Sequence, residues 1–164
     1  MIILGIDPGY AIVGWGVISC IGNNFKPIAY GSIVTDSKEL FPYRIKTIYD
    51  ELLLIIDKYK PTDVAIEELF FNKNAKTVIK VGQARGVLIL AAKNTGLELY
   101  EYTPLQIKQA VVGYGRAEKH QVQEMVKLLL NLKERPKPDD TADALAVALC
   151  HGSSLKFKEQ FKMK

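Results

Sequence analysis

Four acidic side chains are the residues of this chain most suited to chemistry: Asp7, Glu67, Asp140 and Asp143. Asp7 and Glu67 each end a short apolar run, whereas Asp140 and Asp143 begin a helix of small residues. An ionised carboxylate at the end of a buried strand is costly unless a cation or a hydrogen-bond network holds it. In a chain of net charge +4, converging acids predict a divalent-metal site that acts on a polyanion, as in a nuclease.

Each acid also has a structural explanation. Asp7 precedes Pro8-Gly9, where an aspartate commonly initiates a turn. Asp140 and Asp143 share one helix face, and acids near a helix N-terminus complement its dipole. Glu68 competes with Glu67, because the alternation of the preceding strand leaves either side chain able to face the site.

Composition indicates one ordinary globular domain. The chain has 164 residues, of which 48% are hydrophobic. We expect a single domain over residues 1–152 and a basic, flexible tail over residues 153–164. Nothing resembles a membrane span or a signal peptide, so a cytoplasmic protein with Cys20 and Cys150 as free thiols is expected. The isoelectric point near 8.9 permits nucleic-acid binding without establishing it.

Hydrophobic periodicity predicts the element order βββαβαβααα. The first three strands follow one another through short turns, so they should be antiparallel. Strands four and five return through helices and should run parallel to strand one. This is an α/β fold with a five-stranded mixed sheet flanked by helices. The predicted elements cover residues 2–7, 13–20, 25–34, 41–59, 63–67, 76–94, 97–101, 104–112, 118–132 and 139–151.

The four acids suit two Mg²⁺ ions, because hard cations prefer carboxylate oxygen. Two ions roughly 4 Å apart can activate water and stabilise the leaving oxygen of a phosphodiester. Mn²⁺ is expected to substitute. Strands one and four, if they are parallel neighbours, would place Asp7 and Glu67 at the same end of the sheet.

Several short motifs together resemble the RuvC family of bacterial Holliday-junction resolvases, over about residues 2 to 151. The motifs are Leu4-Gly-Ile-Asp-Pro-Gly9, Ala65-Ile-Glu67, Asn72-Lys-Asn-Ala75, Gly82-Gln-Ala-Arg-Gly86, Val111-Val-Gly113, Ala117-Glu-Lys119 and Asp140-Thr-Ala-Asp-Ala-Leu-Ala146. Each motif alone is weak, whereas the combination is specific.

The resemblance implies a ribonuclease-H-like fold and a homodimer. It also implies Mg²⁺-dependent, symmetric nicking of two opposing strands at a four-way DNA junction, with 5′-phosphate and 3′-hydroxyl ends. The family works with a RuvA–RuvB branch-migration complex, which becomes an expected partner. The family's four acids fall on the four carboxylates named above.

The resemblance further suggests residues that contact DNA. Phe70 matches an aromatic that stacks on a junction base, although Phe70 or Phe71 could instead be a core residue. Lys119 and Lys108 match lysines near the scissile phosphate, where Lys119 is also expected to assist catalysis. The remaining candidate DNA contacts are Lys73, Asn74, Lys76 and Arg116, with Lys80 and Arg85 as further possibilities.

Small residues at Gly82, Ala84 and Gly86 would allow close helix approach, either in a dimer or within one subunit. Two other functions compete with the nuclease interpretation. A ribonuclease-H-like enzyme that acts on RNA would show the same acids. An actin-like ATPase has a similar glycine-rich hairpin, but it needs two such lobes, and 164 residues without a repeat supply one.

Overall fold

The computed structural model describes residues 1–69 and 75–164. Its strands are β1 (Ile2–Asp7), β2 (Ile12–Ile21), β3 (Asn24–Val34), β4 (Asp63–Glu67) and β5 (Glu98–Tyr102). Its α-helices are α1 (Phe41–Tyr59), α2 (Ala75–Asn94), α3 (Pro104–Val112), α4 (Lys119–Leu129) and α5 (Asp139–Ser153). A 3₁₀ segment, Leu155–Phe161, follows. No helix in these described ranges is long and apolar enough to cross a membrane.

The strands form one sheet in the order β3-β2-β1-β4-β5. β1 pairs antiparallel with β2 and parallel with β4, and β4 pairs parallel with β5. β2 and β3 are antiparallel. The predicted mixed sheet is therefore confirmed, and its strand boundaries differ from the predicted ones by at most one residue. The central position of β1 places the end of that strand between two neighbours.

The sheet is covered on both faces, so alternate residues of the inner strands enter two different cores. Ile3 packs with Ala65 and with residues of α3, α4 and α5. Leu4 packs with Val64 and with residues of α1 and α2. This alternation fixes the direction of each acid at the strand ends.

Glycines on β1 and β2, which have no side chain, let α5 lie directly on the sheet. A Cβ atom at Gly5 would stand 2.2 Å from the carbonyl oxygen of Ala144, and one at Gly14 would stand 1.9 Å from that of Asp140. Both distances are far below van der Waals contact. The glycines therefore bring the first turn of α5 against the β1–β2 hairpin, beside Asp7, whose register partner is Gly14.

The chain end, expected to be a flexible tail from residue 153, has contacts with the domain. Met163 N donates to the Leu99 carbonyl at 3.0 Å. The Phe161 ring lies 4.7 Å from the Tyr102 ring. Lys158 Nζ lies 2.8 Å from Asp63 Oδ2. Apolar and ionic contacts that arise only in the folded chain thus attach this segment to β4 and β5. Cys20 and Cys150 are buried free thiols, as expected.

Candidate active site

Asp7 and Glu67 stand at the carboxyl ends of two adjacent parallel strands. Ile6 of β1 pairs with Ile66 of β4, so the next residues, Asp7 and Glu67, lie side by side at the same edge of the sheet. Both acids lie on the face that packs against α5, because side chains two apart in a strand share a face and both Gly5 and Ala65 face that helix. Glu68 belongs to the opposite alternation and is exposed. The period of two therefore favours Glu67 over Glu68 at the site.

The first two turns of α5 bring the other two acids to this edge. Asp139 and Asp140 lie in the first turn, where the helix dipole favours negative charge. Asp143 follows one turn later on the same face. The residues after it are buried without interruption from Ala144 to Gly152. Tight packing of α5 therefore fixes where Asp140 and Asp143 stand relative to Asp7.

Burial, with repulsion between neighbouring carboxylates, raises the pKa values of Asp7, Glu67 and Asp143. Burial raises the pKa of Asp7 to about 9, and the nearby charges of Glu67, Asp143 and Asp140 add to the rise. Burial also raises the pKa of Glu67, although hydrogen bonding with Asp7 opposes the rise. Burial raises the pKa of Asp143 despite the opposing hydrogen bond and charge of Lys119. If fully ionised, this group of acids would carry more negative charge than the protein alone stabilises.

Lys119 is the cation that the structure places against these acids. Its Nζ lies 3.0 Å from Asp143 Oδ2 and 3.6 Å from Asp139 Oδ2. Partial burial lowers its pKa, but the hydrogen bond and charge of Asp143 outweigh this and leave the pKa raised. Lys119 is also the first residue of α4, where a cation opposes the helix dipole. The nearby carboxylates of Asp139 and Asp143 offset this unfavourable interaction with the helix dipole, and they keep the ammonium group protonated.

A cleft of about 190 Å³ opens beside the acids. Glu67, Asp143, Lys108 and Lys119 contribute its polar lining. Lys108 is carried by α3, which begins with a reciprocal cap: Thr103 N donates to Gln106 Oε1 at 2.8 Å, and Gln106 N donates to Thr103 Oγ1 at 3.2 Å. Two lysines on separate helices thus face two acids across a space that could admit a phosphate group.

The remaining candidate DNA contacts fall into two groups. Arg116 lies in the α3–α4 connection and is exposed. Phe70, Lys73 and Asn74, and the side chain of Lys76, lie outside the described residues. The roles assigned to these residues from the sequence stay predictions.

The donor set fits a hard divalent cation. Carboxylate oxygens are the ligands that Mg²⁺ prefers, and a bound cation would offset the repulsion that raises the pKa of Asp7. Within residues 1–69 and 75–164, no three Asp, Glu, His or Cys side chains already form a metal-binding group.

One ion pair beside the site, between Arg85 and Glu101, was not predicted from the sequence. Arg85, considered as a possible phosphate contact, instead donates from Nε to the Glu67 carbonyl oxygen at 3.2 Å. Its guanidinium also pairs with Glu101 at 2.8 Å. The only sequence signal was the alternation of β5, which turns Glu101 away from the α5 face and toward α2. Likewise, Ala84 is fully buried within the subunit, whereas Gly86 is exposed.

Comparisons with known proteins agree with this architecture. A family model described as "Crossover junction endodeoxyribonuclease RuvC" matches residues 3–151. A protein of the same description from Alkaliphilus oremlandii is 62% identical over 164 residues, covering 100% of both chains. The Thermus thermophilus RuvC structure is 35% identical with a TM-score of 0.89, covering 99% of this chain and 98% of that one.

A second Thermus thermophilus structure, RuvC in complex with Holliday junction substrate, is 33% identical with a TM-score of 0.90. The match covers 99% of this chain and 100% of the Thermus thermophilus chain. Sequence similarity over the whole length and structural similarity of the whole fold thus coincide, and the chain belongs to the crossover junction endodeoxyribonuclease RuvC family.

Proposed function

We propose that this protein is a metal-dependent endonuclease that resolves four-way DNA junctions during recombination and repair. The observation that carries the proposal is the meeting of β1, β4 and α5, which places four acids together in a chain of the RuvC family. The related Thermus thermophilus protein forms a complex with Holliday junction substrate. That complex supports the same substrate for this chain.

Asp7, Glu67, Asp140 and Asp143 are proposed to hold two Mg²⁺ ions, for which Mn²⁺ would substitute. Bound divalent cations supply a water nucleophile and offset charge on the leaving oxygen. Lys119 remains protonated beside Asp143 and would neutralise charge that develops on the scissile phosphate. Lys108, which lines the same cleft, would bind a phosphate oxygen. Hydrolysis would leave a 5′-phosphate and a 3′-hydroxyl.

Further DNA contacts are proposed from the family resemblance. Phe70 would stack on an unpaired base near the junction centre. Lys73, Asn74, Lys76 and Arg116 would contact the DNA backbone, where cations position a nucleic acid without reading its sequence. We propose that the protein acts in the cytoplasm beside a RuvA–RuvB branch-migration complex.

A homodimer is proposed because one site makes one nick, whereas resolution requires two nicks related by the approximate two-fold symmetry of the junction. The outer face of α2 is a suitable surface. Ile79 is 62% exposed and Leu90 is 54% exposed on this helix. Between them, Gly86 has open space where a Cβ would be. Substituting Leu90 with Glu should therefore shift the sedimentation profile from dimer to monomer.

Cleavage of a synthetic mobile four-way junction in Mg²⁺ tests the function. Linear duplex and an RNA–DNA hybrid of matched sequence serve as parallel substrates. Paired nicks at symmetric positions on the junction are the expected result. Comparable cutting of the hybrid would instead identify a ribonuclease-H-like enzyme that acts on RNA.

Two variants separate binding from cutting. Asp7→Asn should bind the junction in a gel-shift assay without cutting it, because it loses a proposed metal ligand. Phe70→Ala should remain folded by circular dichroism and cut far less. Full cutting by Asp7→Asn would exclude the proposed metal role of Asp7.

A further inference from the structure

Arg85 joins three elements behind the candidate site. Its side chain leaves α2 and donates from Nε to the main-chain carbonyl oxygen of Glu67, at 3.2 Å. One terminal nitrogen, Nη2, lies 2.8 Å from Glu101 Oε2 on β5. The Arg85 side chain is only 16% exposed, whereas Glu101 is 35% exposed. The guanidinium therefore binds groups within the protein and is largely inaccessible to a DNA phosphate.

The Glu67 carbonyl belongs to the last residue of β4. Just beyond the strand, Glu68 N donates to the Tyr102 carbonyl of β5 at 2.9 Å. A partly buried carbonyl without a donor would carry a desolvation cost. Arg85 donates to this carbonyl through a fork that Glu101 holds in place.

Arg85 and the Glu67 carboxylate lie on opposite faces of the sheet. The Glu67 carboxylate faces α5 and lines the cleft with Asp143. Arg85 approaches from α2, which covers the opposite face, and its hydrogen bond is to the main chain of Glu67. It can therefore fix the orientation of the Glu67 residue without neutralising the carboxylate. A direct ion pair with Glu67 would instead compete with metal binding.

We infer that Arg85, held by Glu101, is a positioning residue that fixes the main chain at Glu67 and so presents its carboxylate for metal binding. The inference rests on the proposed function, since it assigns Glu67 to the metal site. Partners that orient metal ligands commonly affect metal affinity by roughly 10- to 100-fold. Arg85 acts on the main chain, so we expect an effect near the lower end of that range.

The test compares Arg85→Met, Arg85→Lys and Glu101→Gln with the wild-type protein. The half-maximal Mg²⁺ concentration for junction cleavage should rise roughly tenfold in Arg85→Met. Glu101→Gln should shift it in the same direction by less. Arg85→Lys can keep the ion pair but cannot make both contacts with a planar fork, so its shift should lie between wild type and Arg85→Met.

A second measurement does not depend on cleavage. Mn²⁺ added to the DNA-free protein should raise the Tm of each variant less than that of the wild type. Junction affinity in EDTA should be unchanged in all three variants. Lys93→Met is the matched control, because Lys93 also joins α2 to β5 through Glu98, at 3.4 Å, but is exposed and contacts no candidate ligand. It should leave both metal responses unchanged.

Two results would overturn the inference. One is a wild-type Mg²⁺ dependence and Mn²⁺ response in the Arg85 variants. The other is weaker junction binding by Arg85→Met together with unchanged metal dependence in Glu101→Gln, which would identify Arg85 as a phosphate contact. If Arg85→Met fails to fold, Glu101→Gln carries the same test. Failure of the wild type to cut junctions would refute the proposed function alone, because the Mn²⁺ response still tests Arg85.

Discussion

Replacing Asp7 with Asn should stabilise the metal-free protein at neutral pH. Burial raises the pKa of Asp7 to about 9 from an ordinary value of 3.8. A folded-state pKa above the unfolded value means that the favourable contribution is complete below pH 3.8 and is lost as the pH rises toward 9. Asparagine mimics the protonated carboxyl group and does not titrate, so the variant avoids this loss.

The magnitude follows from the pKa difference. About 1.36 kcal/mol for each pKa unit between 3.8 and pH 7 gives an upper value of about 4 kcal/mol in the free energy of unfolding. For a chain of 164 residues, each kcal/mol corresponds to about 2–4 °C in Tm. The Tm of Asp7→Asn should therefore exceed that of the wild type by up to about 16 °C.

Thermal and urea unfolding in EDTA from pH 4 to pH 8.5 measure the effect. The stability difference between Asp7→Asn and wild type should be small at pH 4 and grow steadily with pH. Glu51→Gln, which removes an exposed acid of α1, is the control and should show no such growth. Added Mg²⁺ should then raise the wild-type Tm and leave the Tm of Asp7→Asn nearly unchanged, because a ligand stabilises only the state that binds it.

Lower stability of Asp7→Asn at pH 7 would refute this reasoning. A stability difference that does not vary with pH would also refute it, because the gain would then have a cause other than ionisation. An equal Mg²⁺ response in wild type and variant would separate Asp7 from the metal site.

Three other substitutions test other parts of the structure. Lys119→Met should slow single-turnover junction cleavage roughly 100-fold, because it removes a cation beside the scissile phosphate; Lys119→Arg should retain more activity in the same assay. Lys158→Met should lower the Tm at pH 7 by removing the ion pair with Asp63. Although burial opposes it, hydrogen bonding to His151 and Lys158 lowers the pKa of Asp63, so this stabilisation is lost as the pH falls. The Tm difference should therefore shrink in acid, and a constant difference would contradict the pairing. Gly14→Ala should lower both Tm and cleavage, because its Cβ would collide with the Asp140 carbonyl; wild-type values for both would show that α5 can move without consequence.

The strand arrangement was predictable because short turns, helical crossovers and apolar periodicity are local patterns. Asp7 and Glu67 could be placed at one sheet edge for the same reason. The choice between Glu67 and Glu68 could not be made locally, since both faces of β4 are buried. The structure separates them because Val64 packs toward α1 and α2, whereas Ala65 packs toward α5.

Contacts between distant residues were beyond prediction from one sequence. The buried pair of His151 and Asp63 joins residues 88 positions apart, at 2.9 Å, and Tyr102 completes the same network. Lys158 contacts the same oxygen of Asp63, Oδ2, so this network attaches the chain end to the sheet. The basic composition of residues 153–164 is typical of a flexible tail, and the sequence does not show that Lys158 pairs with Asp63.

The sequence by itself indicated the candidate metal-binding residues, the order of the elements along the chain and the family, because these depend on residue type and local spacing. Only the tertiary structure decided how closely α5 approaches β1 and which cation faces Asp143. It also decided that Arg85 points inward to Glu67. Those properties depend on glycine-permitted close packing and on charges brought together from distant segments, and both arise only when the chain is folded.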